Sequence, residues 1–512
     1  MLGRGKDVRR SGGWLRRRAK NDEKRGGTKG WPLSMRLMSW SEHDHFHLYE
    51  ALTGIAVFGV TGSTKTTTTI EHLNRAFMLA QCGMILFCVK PDDPQNYLRQ
   101  ARECGREKDV ILYGPAHGAS FNFIEDGLGK GGPGLAANMT ALLAIVSGLA
   151  GSGRSAASAG SGREDGSFWE KLDNRLIASS TQLLIRAGEP VTTINLERLV
   201  LSLPRSREQV ADDAWRRSYL AACLQAADAA ASSREDREDV ARLADYFLVD
   251  LAQIGEKLRA TVQTSVGATL DIFNHQITRR LLSSPAPTFQ MEMVQEGRIL
   301  IVDMPTMTWG TLGIAVQKVL KYCFQQSQNR RDVSTNPRPV AMVCDEAQVI
   351  ADLEHDAAFG CTARSTRTIC LYATQSISNY LAQCPGQQGE ARVASLLANL
   401  QSQVFHHSDT KTIEYAQSLF GKRTRYLLQG GSQQPSSDWV SSALGLGEGG
   451  SVSASYSEHL DYDLQVEHFQ GLARGGPPDW VSDAILYQSG RTFVTSGKPY
   501  LFIRMKQRPA SL

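Results

Sequence analysis

Residues 57–69 read VFGVTGSTKTTTT, close to the phosphate-loop pattern G-x-x-x-x-G-K-[ST] but with Thr64 where that pattern has glycine before the lysine. Such a loop works when it follows a strand and opens a helix, because successive backbone N–H groups and the helix N-terminus then face the phosphates. In this reading Gly59 and Gly62 permit the tight turn, and Ser63, Thr64 and Thr67 line the cradle. Lys65 contacts the β- and γ-phosphates, and Thr66 binds Mg²⁺ through its hydroxyl. Taken alone, so degenerate a match is equally compatible with an accidental loop.

A second signal lies nearly three hundred residues on. VAMVCDEAQ, at 340–348, is an apolar run ending in two carboxylates. A magnesium-dependent nucleotidase needs such a pair opposite its phosphate loop, Asp345 to hold the metal ion and Glu346 to orient and deprotonate the attacking water. Acid pairs after strands also serve as helix N-caps, so the pair by itself is ambiguous. Jointly with the loop it favours an ATPase-type core. In LYATQS, Gln375 fits a sensor of the γ-phosphate or a polar residue ending a strand. In CTARSTRT, Arg364 and Arg367 fit either a guanidinium offered to a neighbouring subunit's γ-phosphate or a solvated surface.

These residues need a scaffold, and the apolar pattern supplies one. Strand-like runs occur at 54–60, 83–89 and 109–115, with an amphipathic stretch from Thr67 to Gln81 between the first two. Further runs follow at 297–305, 338–348, 367–376, 402–408 and 500–505. Strand and helix alternate at the spacing of a mainly parallel α/β sheet. The expected division is a basic tail (1–47), a first part of the core (48–133), an inserted helical domain (134–290) with a Gly/Ser linker at 151–167, and a second part of the core (291–429). A flexible loop (430–460) and a C-terminal segment with a last core strand (461–512) complete it.

Composition narrows the function classes. The first 36 residues hold 12 basic and 3 acidic side chains, so this stretch carries +9 while the remainder is −5. It has too little apolar content for a core, reads as disordered, and suits attraction to nucleic acid or anionic lipid as well as simple solvation. It lacks the apolar centre of a secretory signal. The most apolar window, 134–150, is shorter than the ~20 residues of a membrane span and contains Asn138, Thr140 and Ser147, so it reads as a buried soluble helix. The nine cysteines form no C-x-x-C pair, which argues against zinc and a disulfide scaffold and for reduced thiols in cytoplasm.

Taken in order, GVTGSTKTTT, FCVKPDD, FNFIED, FWEKLDNRLI, GRILIVDMP, DEAQ, ARSTRTICLYATQS and LLANLQSQVFHHSDTKTIEYAQSLFGK resemble conjugative coupling ATPases of the TraG/TraD kind, within the HerA/FtsK superfamily of ring-forming motors. The resemblance spans about residues 48–425 and includes the TraM-recognition region. It implies a RecA-like core with an all-helical insertion, a homo-hexameric ring, ATP and Mg²⁺ bound between subunits, and DNA held through its backbone without sequence specificity. Relaxosome or secretion-channel proteins are the partners it implies. The same resemblance gives Lys65 and Thr66 to phosphate and Mg²⁺, Asp345 and Glu346 to the acid pair, Gln375 to the sensor, and Arg364 or Arg367 to the arginine acting in trans. Members of the group usually begin with transmembrane helices, and none is evident here, so a cytoplasmic protein reaching the inner membrane through partners is expected. The other departure is Thr64, whose strain in an unfavourable backbone region would be about 1–3 kcal/mol. Set wholly against binding, that is roughly ten- to a hundred-and-fifty-fold in affinity. A coupling ATPase for protein cargo and a weakly active nucleotide-binding scaffold are the alternative functions.

Overall fold

The apolar runs become strands of one sheet. The computed structural model describes residues 30–128, 163–253, 255–383, 386–432 and 452–507. Its strands are a hairpin of Arg36–Ser39 (β1) and His45–His47 (β2), then Ile55–Phe58 (β3), Gly83–Phe87 (β4) and Val110–Tyr113 (β5). After a helical excursion come Ile299–Val302 (β6), Val340–Cys344 (β7), Thr368–Thr374 (β8) and Ser402–Phe405 (β9). Last are a ribbon of Lys422–Ser432 (β10) and Val452–Tyr462 (β11), then Val481–Gln488 (β12) and Tyr500–Lys506 (β13).

Nine strands form the main sheet in the order β13-β12-β9-β3-β8-β7-β4-β6-β5. The seven from β9 to β5 run parallel; β12 and β13 are antiparallel to their neighbours and close one edge. Parallel sheets are covered on both faces, and consecutive residues accordingly enter opposite layers. Ala56 and Phe58 of β3 join Ile85 and Phe87 of β4 in one core, while Ile55 and Val57 join Met84 and Leu86 in the other. No two of β3, β4 and β5 pair with each other: β3 lies between β9 and β8, β4 between β7 and β6, and β5 beside β6.

Helices Glu71–Leu79 and Asp93–Glu103 follow β3 and β4, and Thr306–Asn329 and Leu353–Ala363 follow β6 and β7. The first of the later pair is broken at Gly310, whose φ of 51° and ψ of −133° fit no helix. Between β5 and β6 the described residues are helical, including Arg163–Arg186, Thr193–Leu201, Tyr219–Ala230, Arg234–Asp245 and Glu256–Asn274. Thr192, Ser218 and Ser233 each cap a helix start by accepting a backbone N–H. The two ends of this excursion are pinned together, Phe121 N–H donating to Leu281 O at 2.7 Å and Thr288 N–H to Ser120 O at 3.0 Å.

The structure departs from the sequence-based division in three places. Residues 30–47, expected within the disordered tail, fold: β1 pairs with β2, and Leu37 and Phe46 are buried. The reason is distant in sequence. Buried Asp44 accepts N–H bonds from Val494 and Thr495, at 2.8 and 3.0 Å, so the C-terminal segment holds the hairpin down. The expected loop 430–460 is at both ends a strand, Gly430 to Ser432 pairing with Val452 to Ala454 in an eleven-residue antiparallel register. Its Gly/Ser composition hid a ladder that backbone hydrogen bonds alone can make. The C-terminal segment supplies two sheet strands rather than one. Residues 1–29, the window 134–150, the linker up to residue 162 and residues 433–451 lie outside the described residues, and among the described ones no helix is long and apolar enough to cross a membrane.

Candidate nucleotide site

The carboxyl ends of β3, β8 and β7 bring the candidate residues together, because β8 lies between the other two strands. After β3 the chain turns sharply at Gly59, where a Cβ would come within 2.3 Å of Ser63 Oγ, and Gly62 has φ of +80°. Thr64 has φ of +61°, the left-handed region that a β-branched residue resists. The turn Thr66–Ile70 that follows is wider than an α-helical one, with Ile70 N–H donating to Lys65 O at 3.0 Å, and the regular helix begins at Glu71. The threonine run accounts for this opening. The Thr64 carbonyl accepts the Thr68 N–H at 3.0 Å and the Thr68 hydroxyl at 2.7 Å, and side-chain bonds of this kind compete with the helical ladder.

Lys65 and the acid pair are buried and bonded to one another. Lys65 Nζ lies 2.7 Å from Glu346 Oε1 and 3.9 Å from Asp345 Oδ1, and the Thr66 hydroxyl donates to Asp345 Oδ2 at 2.6 Å. Glu346 is itself left-handed, with φ of 47°, and its N–H donates to Asp345 Oδ1 at 2.9 Å. Gln375, just beyond β8, bridges the two sides: Thr61 Oγ1 donates to its Oε1 at 3.0 Å, and it also bonds to the Glu346 carboxylate. Burial works to raise the Glu346 pKa, but the Lys65 charge and hydrogen bonds from Lys65, Gln348 and Gln375 outweigh it, so the group titrates below the usual carboxylate range.

The loop also offers open donors. The N–H groups of Gly62, Thr64, Lys65 and Thr66 donate to no acceptor among the described residues, and the buried Ser63 Oγ has no partner. Such a concave run of N–H groups fits phosphate oxygens. The neighbouring hydroxyl of Thr66 and carboxylate of Asp345 form an oxygen donor set of the type that suits Mg²⁺.

Two residues without a role in the sequence reading belong to this site. In the KPDD turn after β4, Asp93 accepts the N–H groups of Val89 and Lys90, both at 2.8 Å, and burial pushes its carboxyl up to about 6, with Asp345's charge adding to the rise. His406, at the end of β9, is fully buried beneath the loop, its Nε2 2.8 Å from Thr69 Oγ1 and its Nδ1 3.4 Å from Ser482 Oγ. Burial, with the Lys65 charge adding to it, lowers its pKa to about 3 and keeps the ring neutral. The HH doublet at 406–407 was visible in the sequence, but its place below the loop depends on β9 lying beside β3.

The two candidate arginines separate. Both precede β8 and so sit at the sheet edge opposite Lys65. Arg367 is left-handed and its guanidinium donates to the carbonyls of Trp31 and Pro337, each at 2.9 Å, so it is spent on holding the chain. Arg364 ends the helix Leu353–Ala363 with its side chain exposed and no ion-pair partner among the described residues.

No family model and no curated protein matches the chain. Solved structures do. The unbound form of the bacterial conjugative coupling protein TrwB (TrwBdeltaN70) aligns with a TM-score of 0.57 at 13% identity, covering 97% of this chain and 92% of that one. The same plasmid coupling protein in complex with ADP and Mg²⁺ aligns at 0.55 and 14% identity, and with a non-hydrolysable GTP analogue at 0.56 and 13%, over the same shares of both chains. This α/β chain with a helical excursion therefore has the fold of the TrwB coupling protein, and at this identity the likeness is one of fold.

Proposed function

We propose that the chain is an ATP-binding and hydrolysing motor of the conjugative-coupling type, assembling as a homo-hexameric ring that handles or translocates DNA in conjugative transfer or type IV secretion. The observation that carries this reading is the bonded set Lys65–Glu346 and Thr66–Asp345, with Gln375 touching both sides, at the carboxyl edge of a sheet that has the TrwB fold.

In this mechanism the N–H groups of the loop and Lys65 would take the phosphates, and Thr66 and Asp345 would hold Mg²⁺. The ion, when bound, neutralises charge that develops on the phosphoryl oxygens. Phosphate arrival exchanges Lys65's carboxylate partner for phosphate oxygens and frees Glu346. Lys65 holds Glu346 ionised until that exchange; with Lys65 gone, burial raises its proton affinity, so the carboxylate is suited to orient a water and accept its proton. Gln375, bonded to the Thr61 hydroxyl and to Glu346, reports the change at the phosphate end to the strand behind it. Arg364 is the arginine offered to the next subunit, since Arg367 already serves two carbonyls. DNA is bound through phosphates, so the interaction falls steeply with salt and is indifferent to sequence.

The test is phosphate release by the purified protein with and without single- and double-stranded DNA, with Glu346→Gln as the blank. Hydrolysis above the blank that rises with DNA is expected. Hydrolysis that DNA leaves unchanged moves the cargo to protein, and none above the blank in either condition rules the motor out.

A further inference from the structure

The phosphate loop is backed by a segment more than four hundred residues away. Gly475 approaches Thr64 so closely that a Cβ there would lie 2.8 Å from Thr64 Cγ2, 3.0 Å from Thr64 Oγ1 and 2.7 Å from Gln507 Oε1. Gly475 and Gly476 have φ of +80° and +83°, the left-handed region that glycine adopts without strain, and of the two it is Gly475 that lies against the loop. Gln507 joins the parts: its Oε1 accepts the Gly476 N–H at 2.7 Å and its Nε2 donates to Thr67 Oγ1 at 3.1 Å. The Ser482 hydroxyl lies 3.5 Å from Ser63 O, and Gln507 N–H donates to Trp480 O at 2.7 Å, which ties the strip to β12 and to the end of β13.

Thr64 is thus the loop residue whose backbone is strained and also the one whose side chain meets the glycine strip. We infer that Thr64 and Gly475 are a matched pair, and that Gln507, bonded to the Gly476 N–H and to Thr67, is a positioning residue which holds the loop in its left-handed, phosphate-ready turn. The glycine missing at position 64 is replaced in function by the glycine at 475, which makes room for the threonine. The strain at Thr64 is then met in the nucleotide-free fold, and the phosphates find the turn already made.

This inference rests on the nucleotide reading for its consequence but not for its geometry, and a double-mutant cycle separates the two. Gln507→Ala is made in the Thr64 chain and in a Thr64→Gly chain. In each, the affinity for ADP and Mg²⁺ is measured by titration and the unfolding temperature is measured without nucleotide. In the Thr64 chain, Gln507→Ala is expected to lower the unfolding temperature and to weaken ADP binding roughly tenfold, the scale of about 1.4 kcal/mol of lost support. In the Thr64→Gly chain, where glycine takes the left-handed turn unaided, both effects shrink several-fold. Equal losses in the two backgrounds overturn the pairing, since a strip that merely holds the C-terminal strands would be indifferent to residue 64. If the wild-type chain binds no ADP, the nucleotide reading fails, and the melting cycle alone still decides the pairing. Gly475→Ala provides a second cycle: its new Cβ meets Thr64 Cγ2 and Gln507 Oε1, and Thr64→Gly relieves the first alone, so a smaller loss in the Thr64→Gly chain is expected and an equal loss overturns the pairing.

Discussion

Two turns at the same end of the sheet each hold a non-glycine residue in the left-handed region, Thr64 after β3 and Glu346 after β7, and they are supported in opposite ways. Glu346 is held from inside the site, by Asp345, Lys65, Gln348 and Gln375. Thr64 is held from outside, by a glycine strip and Gln507. Strained residues persist where their surroundings over-determine them. In the proposed mechanism an incoming phosphate takes Lys65 from Glu346, whereas the neighbours of Thr64, Gly475 and Gln507, have no part in that exchange. One turn is built to change partners and the other to stay.

The largest effect comes from removing the partner the two turns share. Lys65→Ala should reduce hydrolysis at least ~10³-fold in a phosphate-release assay, since in the proposed mechanism the cation binds the phosphates as well as the Glu346 carboxylate. A variant within tenfold of wild type would remove the site from consideration.

Next is the anchor behind Glu346. Buried Lys321 donates to Ile350 O and to Asp356 Oδ2, both at 2.6 Å, and Gln325 donates to the other oxygen of Asp356 at 2.7 Å. Lys321→Met leaves Asp356 charged and unpaired in the core, so a loss of about 3–5 kcal/mol is expected in denaturant unfolding. A neutral result would show that the turn after β7 does not lean on this pair.

Acid should then act on the other turn. His406 has a folded-state pKa of about 3, well below that of an unfolded histidine. Between those values the unfolded chain binds a proton that the native chain refuses, so stability is lost as pH falls below about 6.5, by roughly 2 kcal/mol at pH 5. His406→Gln should flatten the pH profile of the unfolding temperature in that window, and an unchanged profile would place the acid sensitivity elsewhere.

The smallest effect sharpens the contrast. Because Thr64 is left-handed without nucleotide, Thr64→Gly should improve ADP affinity by less than about tenfold, since most of the strain falls on the fold rather than on binding. A gain near a hundredfold would mean that Thr64 resists the phosphates directly.

What was legible in the sequence were features with a local signature. Lys65, Thr66, Asp345, Glu346 and Gln375 stand at the ends of apolar runs, and parallel strands buried on both faces are continuous apolar stretches that betray themselves. The edge was harder. Val481–Gln488 carries Ser482 and Asp483 early and Gln488 at its end, which breaks the apolar run that marks the other strands. The hairpin at 36–47 depends on Asp44 meeting Val494 and Thr495, a contact across some 450 residues that no window of sequence reveals. Arg364 and Arg367 stand three apart in one polar turn, and only the carbonyls of Trp31 and Pro337 distinguish them. Gln507 is a single polar residue after a strand, and its importance comes wholly from what lies across from it.

The interleaved strand order bears on how the chain is made. Ile55 pairs with Leu371 and Ser402, Met84 with Ala341 and Ile299, and Val110 with Ile299, so the three early strands wait for partners that are synthesised far later. At ribosomal rates of about 5–20 residues per second, the interval is tens of seconds in which apolar segments such as IAVF and GMILF have no sheet to join. The nascent chain therefore exposes apolar strands over that interval, and truncations anywhere before β9 should yield insoluble protein rather than a smaller working core.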